Sequence, residues 1–384
     1  MSLFEKPKAA TGNLRKKQSI TALFGGENIG ITADSQNRKT RARPDLEKER
    51  GVQMAARINN FFKLHNIQAG PTVLSAVKLS FLREITLHPQ ADENELVTKL
   101  NLLTRRLGEE EDASARPENP LPTIGVEVEM PDDTFPPAHK TTFPLIGIPC
   151  EPENVKLFEV NPKPTHSAKI QNEILSNLDA LGLTPHKPDS PLSLHINFGV
   201  PSGISMGDLE SARDKVFLIS NLLVYAFSSA NRVLEKEIVK SFLFKTAIPV
   251  KKSSEPNRDN GSEIKRFQAR LEFRANEFGT YPTYRLLIES QRIIGMFFAH
   301  LEQISDHPHI LIRQKELAIL WKEFEREVRQ LLYEERGLKP RLIDDDRKKA
   351  SSVIKSSPEL RQKCRALLTE YSQKINGVIK MGES

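Results

Sequence analysis

Four short segments alternate apolar and polar side chains with a period of two, and this pattern narrows the possible folds most. They are "IGVEVEM" (124–130), "KLFEVNP" (156–162), "LSLHINFGV" (192–200) and "RLEFRANEF" (270–278). A period of two is that of a β-strand with one face turned to a core. Val126 and Val128 fall on one side of the first segment, Phe158 and Val160 on one side of the second. Leu194, Ile196 and Phe198 do the same in the third, and Leu271 and Phe273 in the fourth. Helical spacing separates these segments, in "SAKIQNEILSNLDAL" and in the long run that begins "MGDLESARDKVFLISNLLVYAF". Strands broken up by helices of irregular length predict an α+β domain.

The opposite side of each strand is unusual. It carries Glu127 and Glu129, then Glu159, then His195 and Asn197, then Glu272, Arg274 and Asn276. Glu127 and Glu129 are two residues apart, so their carboxylates share a face about 6–7 Å apart along the strand. Their repulsion is about 2–3 kcal/mol at an effective dielectric near 20. A single Glu-X-Glu strand is ordinarily the wet side of a half-exposed sheet. Four such strands placed side by side instead make a pocket of acids with one imidazole and one guanidinium. Divalent cations would offset that charge, because carboxylates are hard oxygen ligands for Mg²⁺ or Mn²⁺ and a single imidazole is compatible with either. The magnesium ion commonly shares its shell with substrate phosphates, and an arginine suits a transferring phosphoryl group. The residues therefore predict a metal–nucleotide site built on a sheet.

The rest of the chain frames this sheet. At 384 residues it has room for one large domain or two moderate ones. Residues 1–50 are polar and basic, with "RKKQ" and "NRKTRARPDLEKER", and read as a disordered basic segment. Much of the net charge of +6 sits there. No nucleic-acid-binding motif accompanies it, so a solvated tail is preferred to a nucleic-acid contact. Residues 51–107 have helical spacing, with Asp92 and Asn94 before "ELVTKLNLLTRRL" as a helix start and Arg105–Arg106 near its end. The acidic, proline-rich "GEEEDASARPENPLP" (108–122) reads as a linker. Residues 123–335 form the expected catalytic domain and 336–384 a helical tail, whose last amphipathic helix spans about 357–375. The longest nearly apolar run, 216–227, is too short to span a bilayer. Two cysteines, Cys150 and Cys364, lie far apart without metal-ligand spacing, which points to a reducing, cytoplasmic setting.

Taken in order, "GVEVEM", "FEVNPKP", "LHINFGVP" and "RLEFRANE" resemble the amidoligase family. That family belongs with the carboxylate–amine ligases, alongside glutamate–cysteine ligase and glutamine synthetase. The resemblance covers about 124–277. It implies a glutamine-synthetase-like catalytic domain on a mainly antiparallel, curved sheet flanked by helices. It further implies that Glu129 and Glu159 hold one metal, and that Glu127, His195 and Glu272 hold a second that also meets the nucleotide phosphates. By the same resemblance Arg274 contacts the transferred γ-phosphoryl group of ATP. Asn197 departs from the pattern, standing where many relatives have a second histidine.

Lys163, in "NPKPTHS", is a candidate for the nucleotide or substrate site; the competing reading is a proline-bounded turn that caps the following helix. The loop "DNGS" near Asn260 is a candidate lid or an ordinary surface loop. The expectation is an ATP-dependent carboxylate–amine ligase using ATP and Mg²⁺ or Mn²⁺. Its substrates would be a carboxylate and an amine, each small, peptidic or borne on a protein. The alternatives are an ATP-dependent phosphotransferase on the same fold, and a non-catalytic binding protein that uses the basic N-terminal arm.

Overall fold

A computed structural model describes residues 44–116, 121–133, 135–152, 157–183, 193–227, 270–274, 284–304, 312–334 and 358–381. Three helices come first: α1 (Pro44–Leu64), α2 (Pro71–Leu87) and α3 (Glu93–Ser114). Then follow β1 (Ile124–Pro131), α4 (Pro137–Ile146), β2 (Cys150–Pro152), β3 (Leu157–Val160), α5 (Ala168–Ala180) and β4 (Ser193–Gly199). The remaining described elements are α6 (Met206–Ser211), α7 (Arg213–Phe227), β5 (Arg270–Arg274), α8 (Tyr284–Ile304), α9 (Ile312–Arg329) and α10 (Pro358–Met381). A π-helical turn, Gln330–Glu334, closes α9. Mixed helices around one antiparallel sheet make this an α+β protein.

Among the described residues the sheet has five strands in the order β2-β3-β1-β4-β5, and every neighbouring pair is antiparallel. Each segment singled out by its alternation forms one of these strands. β2 is an additional edge strand whose three residues are too few to show a period. Val126 and Val128 of β1, Val160 of β3, Ile196 and Phe198 of β4 and Leu271 of β5 are fully or almost fully buried. Burial of these side chains fixes the register, because a slip of one residue would turn the acids into the core.

Around the sheet the helices form one continuous hydrophobic core. α5 lies against β1 and also contacts α2 and α8. Ile170, Ile174, Leu175 and Leu178 of α5 are buried, the spacing of one helical face. At the carboxyl end α8, α9 and α10 pack on one another around Phe297, Trp321, Phe324 and Tyr371. The core includes Ala55 to Leu107 on one side and Leu360 to Val378 on the other, so packing continues across residues 107 and 335. Both cysteines are free thiols, Cys364 buried in this core.

Three boundaries differ from expectation. Residues 44–50, assigned from composition to the disordered basic segment, open α1; the rest of that segment lies outside the described residues. The helix expected to stop near Arg106 runs on to Ser114, through much of the stretch read as a linker. Glutamates are good helix formers, and Arg105 pairs with Glu109 at 2.9 Å one turn on. Asp92 is the N-cap of this helix, accepting from the N–H groups of Asn94 and Glu95. The final helix also runs beyond 375, to Met381. Among the described residues, no helix is long and apolar enough to cross a membrane. The loop near Asn260 lies outside the described residues.

Candidate functional site

Residues directly paired in an antiparallel ladder occupy the same face. The polar face can therefore be written as cross-strand rows. One row runs from Arg274 of β5 to His195 of β4 to Glu127 of β1. The next runs from Ser193 of β4 to Glu129, then to Glu159 of β3 and Glu151 of β2. A third joins Glu272 to Asn197 and Gly125. Glu127, Glu129, Glu159 and His195 thus lie on one face, and β5 brings the backbone positions of Glu272 and Arg274 into the same rows. Glu151 is the addition that sequence alone missed. It extends the second row to three acids abreast, on a strand too short to announce itself.

The middle of this face is buried. Glu127 is 4% exposed, Glu129 7% and His195 2%. The imidazole sits between the two carboxylates, with Nδ1 3.1 Å from Glu127 Oε2 and Nε2 3.4 Å from Glu129 Oε1. An imidazolium offers an N–H to both acids, whereas a neutral ring offers only one. Farther along the row, Asn161 Nδ2 donates to Glu159 Oε1 at 3.1 Å. Asn197 is 6% exposed, and its Oδ1 has no hydrogen-bond partner among the described residues.

The segment after β3 is held in a defined shape at the edge of this face. Ile124 and Thr165 form an isolated bridge with reciprocal N–H···O bonds of 2.7 and 2.9 Å. Pro164 packs so closely on Gly125 that a Cβ there would stand 3.2 Å from its ring. Ser167 is the N-cap of α5 and accepts from Lys169 N, so the turn does cap the following helix. The backbone N–H groups of His166 and Ser167 donate to the two oxygens of Glu111, at 3.1 and 3.0 Å. An acid of this chain therefore occupies the electropositive start of α5, where a phosphate would otherwise be favoured. Lys163 is exposed, and its carbonyl accepts from Gln171 Nε2 at 2.9 Å.

Among the described residues, no group of three or more His, Cys, Asp and Glu side chains is arranged to hold a metal ion. The donor types still suit a hard divalent cation, being carboxylate oxygens, one imidazole and the unpartnered amide oxygen of Asn197. Fold and site together define an α+β protein with a buried acid–imidazole cluster on the polar face of an antiparallel sheet. Comparison with protein-family models, with curated proteins and with solved structures returns no match for this chain.

Proposed function

We propose that the chain is an ATP-dependent carboxylate–amine ligase with a glutamine-synthetase-like catalytic domain. The observation that supports this most is the concentration of acids on one sheet face. Glu127 and Glu129 are buried beside His195, and Glu159 and Glu151 continue the row of Glu129. Glu129 and Glu159, paired across strands, repel one another, and the burial of Glu129 strengthens the repulsion, so the face is suited to binding positive charge. In this proposal Glu129 and Glu159 hold one divalent ion, and Glu127, His195 and Glu272 hold a second. Such ions would neutralise charge on the phosphates of ATP. Arg274, in register with His195, would meet the transferred phosphoryl group. Lys163 is proposed for the nucleotide end of the site, on the loop that packs over Gly125.

The reaction has two steps. A substrate carboxylate oxygen attacks the γ-phosphorus, releasing ADP and forming an acyl phosphate. An amine then attacks the acyl carbon, phosphate leaves, and the amine loses a proton to give the amide. The test is ADP release by the purified chain with Mg²⁺ and ATP, over a panel of amino acids as carboxylate donors and ammonium as amine. The expected result is release that requires both substrates and is abolished by Glu127→Gln. Release with a stable phosphorylated product would reassign the protein as a phosphotransferase. No thermal shift with Mg²⁺ and ATP, together with unchanged behaviour of Glu127→Gln, would overturn both enzyme readings.

One observation favours a second reading. His195 already engages both neighbouring acids, and no metal-holding group is present among the described residues. In that case the cluster is a buried ion-paired triad in a non-catalytic protein, and binding falls to the basic N-terminal arm.

A further inference from the structure

Asn197 is the polar residue of this face that the described contacts leave unexplained. The residue is 6% exposed, yet among the described residues its Oδ1 accepts no hydrogen bond. Buried amide oxygens are ordinarily satisfied, because leaving one bare forfeits the hydrogen bond it made with water. Neither register partner is a residue type that donates readily. Gly125 on β1 has no side chain, and the space above it is taken by the ring of Pro164, which lacks an N–H. On the β5 side the partner is Glu272, an acid. Two residues back along β4, on the same face, stands His195 between its two carboxylates.

From this arrangement we infer that Asn197 Oδ1 contacts a bound cation. The inference rests on the ligase proposal's positively charged occupant of the polar face, and it assigns that occupant a neutral acceptor beside the acids. Two sources share the chemistry: a divalent metal, for which an amide oxygen is a hard ligand, and the ammonium group of an amine substrate. In either case the buried oxygen gains its missing partner when the ligand binds. An oxygen that costs stability when bare and gains a partner on binding trades unliganded stability for affinity.

That pairing of costs makes the test specific. Full-length wild type, Asn197→Leu and Asn197→Asp are compared for binding of Mn²⁺ alone, for the thermal shift given by methylammonium, and for unliganded melting temperature. Asn197→Leu removes an unsatisfied oxygen, so its unliganded melting temperature should hold or rise, while affinity for the cation falls by about tenfold or more. Asn197→Asp adds a like charge in the row of Glu272 and one row from Glu127, so it should melt lower without ligand and bind Mn²⁺ more tightly. Effects on Mn²⁺ assign the metal as the occupant; effects on methylammonium alone assign the amine. If both ligands bind the wild type and neither variant alters them, the inference is overturned while the ligase proposal stands. Lower unliganded stability of Asn197→Leu, or weaker Mn²⁺ binding by Asn197→Asp with no change toward methylammonium, also overturns it. Wild type that binds neither cation overturns the inference and the cation-filled site together.

Discussion

The carboxylate of Glu111, near the end of α3, accepts a hydrogen bond of 3.0 Å from the backbone N–H of Ser167, the residue that caps α5. Its other oxygen takes the N–H of His166 at 3.1 Å. A residue from the acidic run after Arg106 therefore fixes the loop bordering the polar sheet face. Charge-assisted bonds at a helix start are among the stronger local interactions. Glu111→Ala should lower stability by about 1–3 kcal/mol in urea unfolding. Glu111→Gln should lose less, because the amide oxygen still accepts one bond. Equal stability of all three proteins would show that the loop holds its shape without this cap.

Two glycines in helices should respond with opposite sign to the same change. Gly51 of α1 faces α4, where an added Cβ would collide with the Ala138 carbonyl oxygen and stand 2.7 Å from Thr141 Cβ. Thr142 Oγ1 donates to the Gly51 carbonyl at 3.2 Å across the same contact. Gly51→Ala should therefore destabilise by about 1–3 kcal/mol, since backbone atoms cannot move aside cheaply. Gly108 of α3 has open space around its Cβ position. Gly108→Ala should instead stabilise by about 0.5–1 kcal/mol through backbone entropy and helix propensity. Chemical unfolding of the two variants in parallel checks both signs.

These cases mark where the sequence was legible. Strand alternation announced β1, β3, β4 and β5, because an apolar side buried in a core leaves its period in the residues. Asp92 was readable, together with Asn94, as a helix start, because a capping side chain acts within its own turn. The end of α3 was not, since "GEEED" serves equally as solvated linker and as helix, and its link to α5 is a tertiary contact. β2 lacked enough residues to carry a period, so Glu151 went unseen. In the site, shared direction was legible from spacing. That His195 stands between Glu127 and Glu129 depends on strand order, which spacing does not encode.

Acid should weaken the fold through two buried histidines. Burial pushes His139 down to about 4 from 6.5. His300 is likewise pushed to about 4 by burial first, then by Lys215 and Lys322, against an opposing pull from Glu325. The unfolded chain binds a proton at each site near the ordinary value, and the native protein resists until about 4. Stability is thus full above the unfolded value and falls as pH drops through the window from about 6.5 to about 4. For His139 alone, the loss between about pH 7.5 and about pH 5 is on the order of 2 kcal/mol. Urea midpoints across this range should show it, and His139→Leu should flatten the slope. An unchanged slope would mean that His139 is not protonated on unfolding.

Removing the imidazole between the acids separates the roles of charge and packing on the polar face. His195→Ala withdraws the ring that lies 3.1 Å from Glu127 Oε2 and 3.4 Å from Glu129 Oε1, while both acids stay buried on β1. Two buried carboxylates left without the imidazole between them cost more than a lost contact. The expected loss is about 3–5 kcal/mol. Adding Glu129→Gln to that variant removes one of the two charges, so the double variant should be more stable than His195→Ala alone. In a double-mutant cycle this appears as a coupling of about 1–3 kcal/mol between the two positions. Additive losses would mean that Glu129 is not charged beside His195. The polar face would then lack the paired charge on which both the cation site and the ion-paired triad depend.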